Sequence, residues 1–130
     1  MNFLAILIAS GVFYFIIFFW YWPSFLGNIW LILIEKEEEP KEKIIRDSLL
    51  MIPTSLIINF ALGYFFDLLL LPDIIFKLII ILVIFGGLIL PIAINQSAFM
   101  GRTNFKLFLI EYGVYFVAFI ASGLIIALWP

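Results

Sequence analysis

The sequence predicts an all-α, polytopic membrane protein: a bundle of four transmembrane helices with a short interfacial helix after the first. Three observations predict it. Hydrophobic residues make up 66% of the 130 positions and charged residues only 12%, against about 25% charged in an ordinary soluble domain. A soluble chain of this size leaves much of its surface in water, and too few polar side chains are present here to cover it. The apolar residues also run in long segments with the charges gathered between them. A spanning helix needs roughly 20 apolar residues, because the hydrocarbon core is about 30 Å thick and each residue rises about 1.5 Å.

The first predicted span covers residues 2–22 without a charge and ends in Trp20-Tyr21-Trp22-Pro23. Amphipathic aromatics suit the headgroup level there, and proline stops the helix. The segment lacks the basic start, short apolar run and small-residue cleavage site of a signal peptide. Ser24 to Ile34 stays apolar but is too short to span, so it is expected to lie along the membrane surface. Residues 35–47 form the one strongly charged connector, with Lys41 to Asp47 starting the next helix. The second span is predicted over 48–71, with Pro53 near its start, and Pro72-Asp73 turns the chain into the third over 74–94. That span holds Gly86-Gly87 and Pro91, which either admit a neighbouring backbone or bend the helix. A polar connector from Asn95 to Asn104 precedes the fourth span, 105–129. All four spans belong to a single membrane domain.

Topology follows from lysine and arginine in short loops. Lys36, Lys41, Lys43, Arg46, Arg102 and Lys106 lie on one face and Lys77 alone on the other. The expectation is that both longer connectors are cytoplasmic and both termini extracytoplasmic, in a prokaryotic plasma (inner) membrane. Cysteine and histidine are absent. Thiol chemistry, disulfides and the usual haem and zinc ligands go with them. A net charge of −2 gives no basic face for nucleic acid.

Two stretches carry a family resemblance. The first is Met1-Asn2-Phe3-Leu4-Ala5 leading into Trp20-Tyr21-Trp22-Pro23, Phe25-Leu26-Gly27 and Trp30; the second runs from Gly101-Arg102 through Lys106-Leu107-Phe108 to Gly113 and Tyr115. Together they resemble the small four-helix membrane proteins of domain-of-unknown-function family 1761. In that family a tryptophan-tyrosine-x-proline turn follows the first helix, and a glycine-arginine-x-x-x-lysine-leucine-phenylalanine pattern opens the last. The resemblance implies an architecture and a membrane location, and no reaction.

The polar residues inside the predicted spans are the site candidates. Glu111 lies roughly 9 Å into the fourth helix, where a charge costs about 1–3 kcal/mol and calls for a partner or a proton. Asn104, Phe108, Glu111, Tyr115, Ala118 and Ser122 share one stripe; Ser55, Asn59, Gly63 and Asp67 recur every four residues on the second span. Ser10, Tyr14 and Tyr21 give the first span a weaker version. With these faces turned inward, Asn59 or a tyrosine hydroxyl can hydrogen-bond Glu111. Two readings follow. Glu111, Asn59, Tyr115 and Tyr14 form an ion or small-amphiphile pocket, or the same groups tie helices together. Arg46, Arg102 and Lys106 are expected at lipid headgroups as topology anchors. Asp67 and Asp73 flank a short turn, but two carboxylates alone are a poor cation site. Gly86-Gly87 and the small residues Ala118, Ser122, Gly123 and Ala127 suit either oligomer contacts or packing within one chain.

No phosphate loop, nucleophile-base pair or metal-ligand cluster is present. The expected function is therefore non-enzymatic, structural or small-ligand/lipid-binding, with no cofactor. The expected partners are membrane lipids and either a second copy or another membrane protein. The alternative is a small transporter or channel that uses Glu111 as a coupling carboxylate. Small multidrug exporters carry a glutamate in the first helix, and this first helix has none.

Overall fold

The computed structural model describes residues 1–37, 40–70, 73–101 and 104–129. Among them no strand occurs, and four helical rods are long and apolar enough to cross a membrane. Helix α1 spans Phe3–Trp20, opened by the Asn2 side chain, whose Oδ1 accepts the Ala5 N–H at 3.1 Å. It ends two residues short of the predicted Trp22. The residue before a proline is pushed out of the α region, and Trp22 is extended (φ −65°, ψ 139°) ahead of Pro23.

A wide five-residue turn, Pro23–Gly27, then leads into the short helix α2, Asn28–Leu33, the expected interfacial helix. Phe25 breaks the helical path there at φ −111°, ψ −109°. Gly27 donates its N–H to the Trp22 carbonyl at 3.1 Å, and a Cβ at this position would collide with the Tyr21 carbonyl oxygen. Only glycine fits so close to another backbone. None of the α2 residues is buried.

Helix α3 spans Lys41–Ser48, and a turn at Leu49-Leu50 joins it to α4, Met51–Leu68. The charged connector is thus helical over its second half. Pro53 occupies the first turn of α4, where backbone N–H groups have no intrahelical acceptor to lose. Leu71, at the predicted end of the second span, lies outside the described residues. Helix α5 spans Ile74–Ile84, a second wide turn covers Phe85–Ile89, and α6 runs over Leu90–Phe99. This third rod continues five residues past the predicted end at Ile94. Asn95 and Gln96 are polar without being helix breakers; the stop comes at Gly101, whose φ of +69° closes the helix as glycine commonly does. Helix α7, Phe105–Leu128, is capped by Asn104, whose Oδ1 accepts the Lys106 and Leu107 N–H groups at 2.9 and 3.3 Å.

The helices pack with α1 against α4 on one side and α7 on another, and α5 joins through α7. Small side chains make the close approach possible: Ala5, Ala9 and Ala118 are buried at the seams, and Ile81 lies over Gly123 with its Cγ1 3.1 Å from where a Cβ would stand. Phe13 fills the centre, edge-on to Phe119 at 5.5 Å between ring centroids. Large apolar side chains such as Phe15, Ile57, Val83 and Leu109 point outward. A bundle solvated by hydrocarbon has no reason to hide them.

Candidate functional site

The end of α1 is fastened to the start of α7 by polar contacts from its terminal aromatics. Trp20 Nε1 donates to the Ile110 carbonyl at 2.9 Å, and the Tyr21 hydroxyl donates to the Glu111 carbonyl at 3.2 Å. Tyr21 also meets the Trp30 ring edge-on at 5.1 Å, so helix α2 packs back on the same spot. Lys41 Nζ stands 5.7 Å from the centroid of the Trp22 ring, within cation–π range. The four residues Trp20 to Pro23 therefore act as a latch between spans as well as boundary residues.

Beside this latch, between the end of α1, the Pro23–Leu33 segment and α3, lies a cleft of about 310 Å³. That volume is at the lower end of the ligand-pocket range of about 300–1,000 Å³. Ile17, Phe18, Leu31, Ile44 and Met51 supply apolar wall, and Tyr21, Lys36, Asp47 and Ser48 supply polar groups. The Ser48 hydroxyl donates to the Ile45 carbonyl at 2.7 Å, so at its 3.0 Å contact with Ser48 Oγ the Tyr14 hydroxyl is the donor. Among the described residues the ion-pair partner of Asp47 is Arg46, at 3.4 Å, and not Lys36. Lys36 and Asp47 both line the cleft.

The sequence candidates fall in different places. Glu111 is partly buried beside the latch, at the level of Tyr21. Tyr14 hydrogen-bonds the start of the second rod through Ser48 rather than approaching Glu111. Asn59 is fully buried, and its Nδ2 donates to the Ser55 carbonyl at 2.9 Å. Contacts of Ile6 with Gly63 and of Tyr14 with Ser48 fix the register of α1 against α4, and place Asn59 near the level of Ser10. Eleven residues separate Ser10 from Tyr21, about 16 Å along a helix at about 1.5 Å per residue. The expected hydrogen bond between Asn59 and Glu111 is thus not formed: both side chains sit on inward polar stripes, but at different depths.

Asn59 instead shares the middle of the bundle with buried Ser10, Ser55 and Ser122. Tyr115 packs near Phe13, at 6.3 Å between centroids, and lines a lateral groove with Tyr112, Gln96 and Phe119. Arg46 and Lys106 are exposed at the connector end; Arg102 lies outside the described residues. Asp73 caps α5 by accepting the Ile75 and Phe76 N–H groups, and Asp67 pairs with the Met1 amino group at 2.8 Å. Each of these carboxylates has its own structural partner.

Sequence reasoning missed the cleft. Its signal was available in part, since Ile44, Asp47, Ser48 and Met51 recur at helical spacing across the joint between α3 and α4. The folding back of Trp30 and Lys36 toward that face carries no periodic signature.

Four apolar rods, a latched first span and a ligand-sized cleft at the connector end define a four-helix membrane protein. The chain belongs to the family described as "Protein of unknown function (DUF1761)", whose profile matches residues 4–127. The Trp20 to Pro23 turn and the opening of the last helix, on which the resemblance rested, both fall inside that match. No curated protein and no solved structure matches the chain.

Proposed function

We propose that this protein is a non-enzymatic membrane protein that binds a small amphiphile or lipid in the connector-end cleft. The observation that carries this reading is the make-up of the cleft: a largely apolar wall of about 310 Å³, with the polar groups Tyr21, Lys36, Asp47 and Ser48 beside it. Apolar pockets with a few placed polar groups are the usual form of a small-molecule site. The six-to-one bias of lysine and arginine toward the connectors supports a cytoplasmic opening, with both termini outside, in a prokaryotic inner membrane.

Native mass spectrometry of the purified full chain tests the reading. The unaltered protein is expected to retain a bound amphiphile, and Leu31→Trp, which fills the cleft from a helix that buries no residue, is expected to abolish retention. Equal retention by the filled variant would rule the cleft out as the binding site.

A further inference from the structure

We infer that the lateral groove between the third rod and α7 is a second binding site, separate from the connector-end cleft, for a neutral, hydrocarbon-soluble carbonyl compound of the quinone class. The groove encloses about 480 Å³, inside the ligand-pocket range of about 300–1,000 Å³. Ile58, Ile89 and Ile92 give it an aliphatic wall, and Tyr112, Tyr115 and Phe119 an aromatic one. Spaced by three and four residues, the three rings share one stripe of α7. A flat ring packs well in such a slot. The groove continues to Phe119, which packs on Phe13 at the centre of the bundle, and so offers an apolar course for a tail.

The polar groups of the groove are neutral and able to donate. Among the described residues neither the Tyr112 nor the Tyr115 hydroxyl has a hydrogen-bond partner, and neither oxygen is sealed inside the protein. Gln96 Nε2 donates to the Met100 sulfur at 3.4 Å, and a thioether is a weak acceptor. No charged residue lines the groove, so a charged headgroup finds no counter-ion there. The backbone at Tyr112 and Tyr115 lies about 9 and 14 Å beyond Lys106 along α7, at about 1.5 Å per residue, which places both within the hydrocarbon. A hydroxyl without an acceptor is costly in that solvent. A carbonyl oxygen has two lone pairs, enough for both hydroxyls, and a ring that carries it fills the slot.

The test titrates decylbenzoquinone and decylbenzene into the full chain in phosphatidylcholine nanodiscs, with empty discs as the blank, and follows binding by calorimetry. The quinone is expected to bind saturably and about five- to twenty-fold more tightly than decylbenzene. Tyr112→Phe and Tyr115→Phe keep both rings and remove one hydroxyl each. Each is expected to weaken quinone binding about two- to five-fold and to leave decylbenzene binding unchanged. Ile92→Trp, at an exposed position on the groove wall, is expected to block the groove and abolish binding of both compounds, whereas Leu31→Trp, in the cleft, leaves it intact. Equal binding of the two compounds, or quinone binding untouched by both phenylalanine variants, overturns the inference. So does the absence of saturable binding, the result if a phospholipid or a second copy of the chain occupies the groove. Binding lost in Leu31→Trp and kept in Ile92→Trp puts the quinone in the cleft: this inference then falls and the amphiphile reading stands.

Discussion

The first, second and fourth spans and the third span are built on different terms. In the most apolar windows of the first and fourth rods 33% of residues are buried inside the protein, and in the second 28%; in the third the share is 11%. The three-span body is closed by small residues, aromatic packing and hydrogen bonds that cross between helices at the latch. The third rod leans on α7 through Ile81 and Phe85, buries Ala93 and Ser97 further along, and turns most of its remaining surface outward. Among the described residues the long-range polar contacts belong to the body, and the third span relies on shape. In a membrane this division is sustainable, since lipid satisfies an apolar helix as well as a neighbouring helix does.

That contrast can be broken most sharply at Ala118, fully buried where α7 meets the central aromatics. Ala118→Leu is expected to destabilise the body by about 1–3 kcal/mol, because an interior packed to this density has no room for three more carbons. Reversible denaturation in mixed micelles measures it. Trp20→Phe is a smaller blow to the same body. It keeps an aromatic ring but removes the pyrrole half of the indole with its Nε1 donor to the Ile110 carbonyl, and the lost hydrogen bond is expected to cost about 0.5–1.5 kcal/mol. The same measurement, with tryptophan fluorescence following the latch, checks it. At the quiet end stands Gly87→Ala in the third span, where an added Cβ meets nothing within 4 Å. Its expected effect is below about 0.5 kcal/mol in either direction. A large loss there would mean that a neighbour covers this face, and the contrast between body and third span would have to be redrawn.

Much of the fold was legible because a membrane reads length and polarity directly. Runs of apolar residues located four spans, and the Trp22-Pro23 step located the end of the first to within two residues. Polarity marks the end of the third span at Ile94 in the sequence, whereas Asn95 and Gln96 continue the helix until Gly101 turns it. The candidate site was legible only by direction. Helical spacing correctly turned Asn59 and Ser122 inward, since both are fully buried. It gave no depth, because the register between antiparallel helices is set by side-chain contacts such as Tyr14 with Ser48 that no single-helix pattern encodes. Of the two partners expected for Glu111, Asn59 lies about 16 Å away along the bundle, whereas the Tyr21 hydroxyl reaches the Glu111 backbone carbonyl.

The wide turn at Phe85–Ile89 has a geometric consequence for the third span. Its buried residues Ile81, Phe85, Ala93 and Ser97 are spaced by multiples of four. In an unbroken helix, sixteen residues make about 4.4 turns, so the last of them would face nearly away from the first. A turn that takes in one extra residue gives back about 100° of that rotation. It works as a phase correction, letting one rod keep the same side toward its neighbour from end to end without coiling around it.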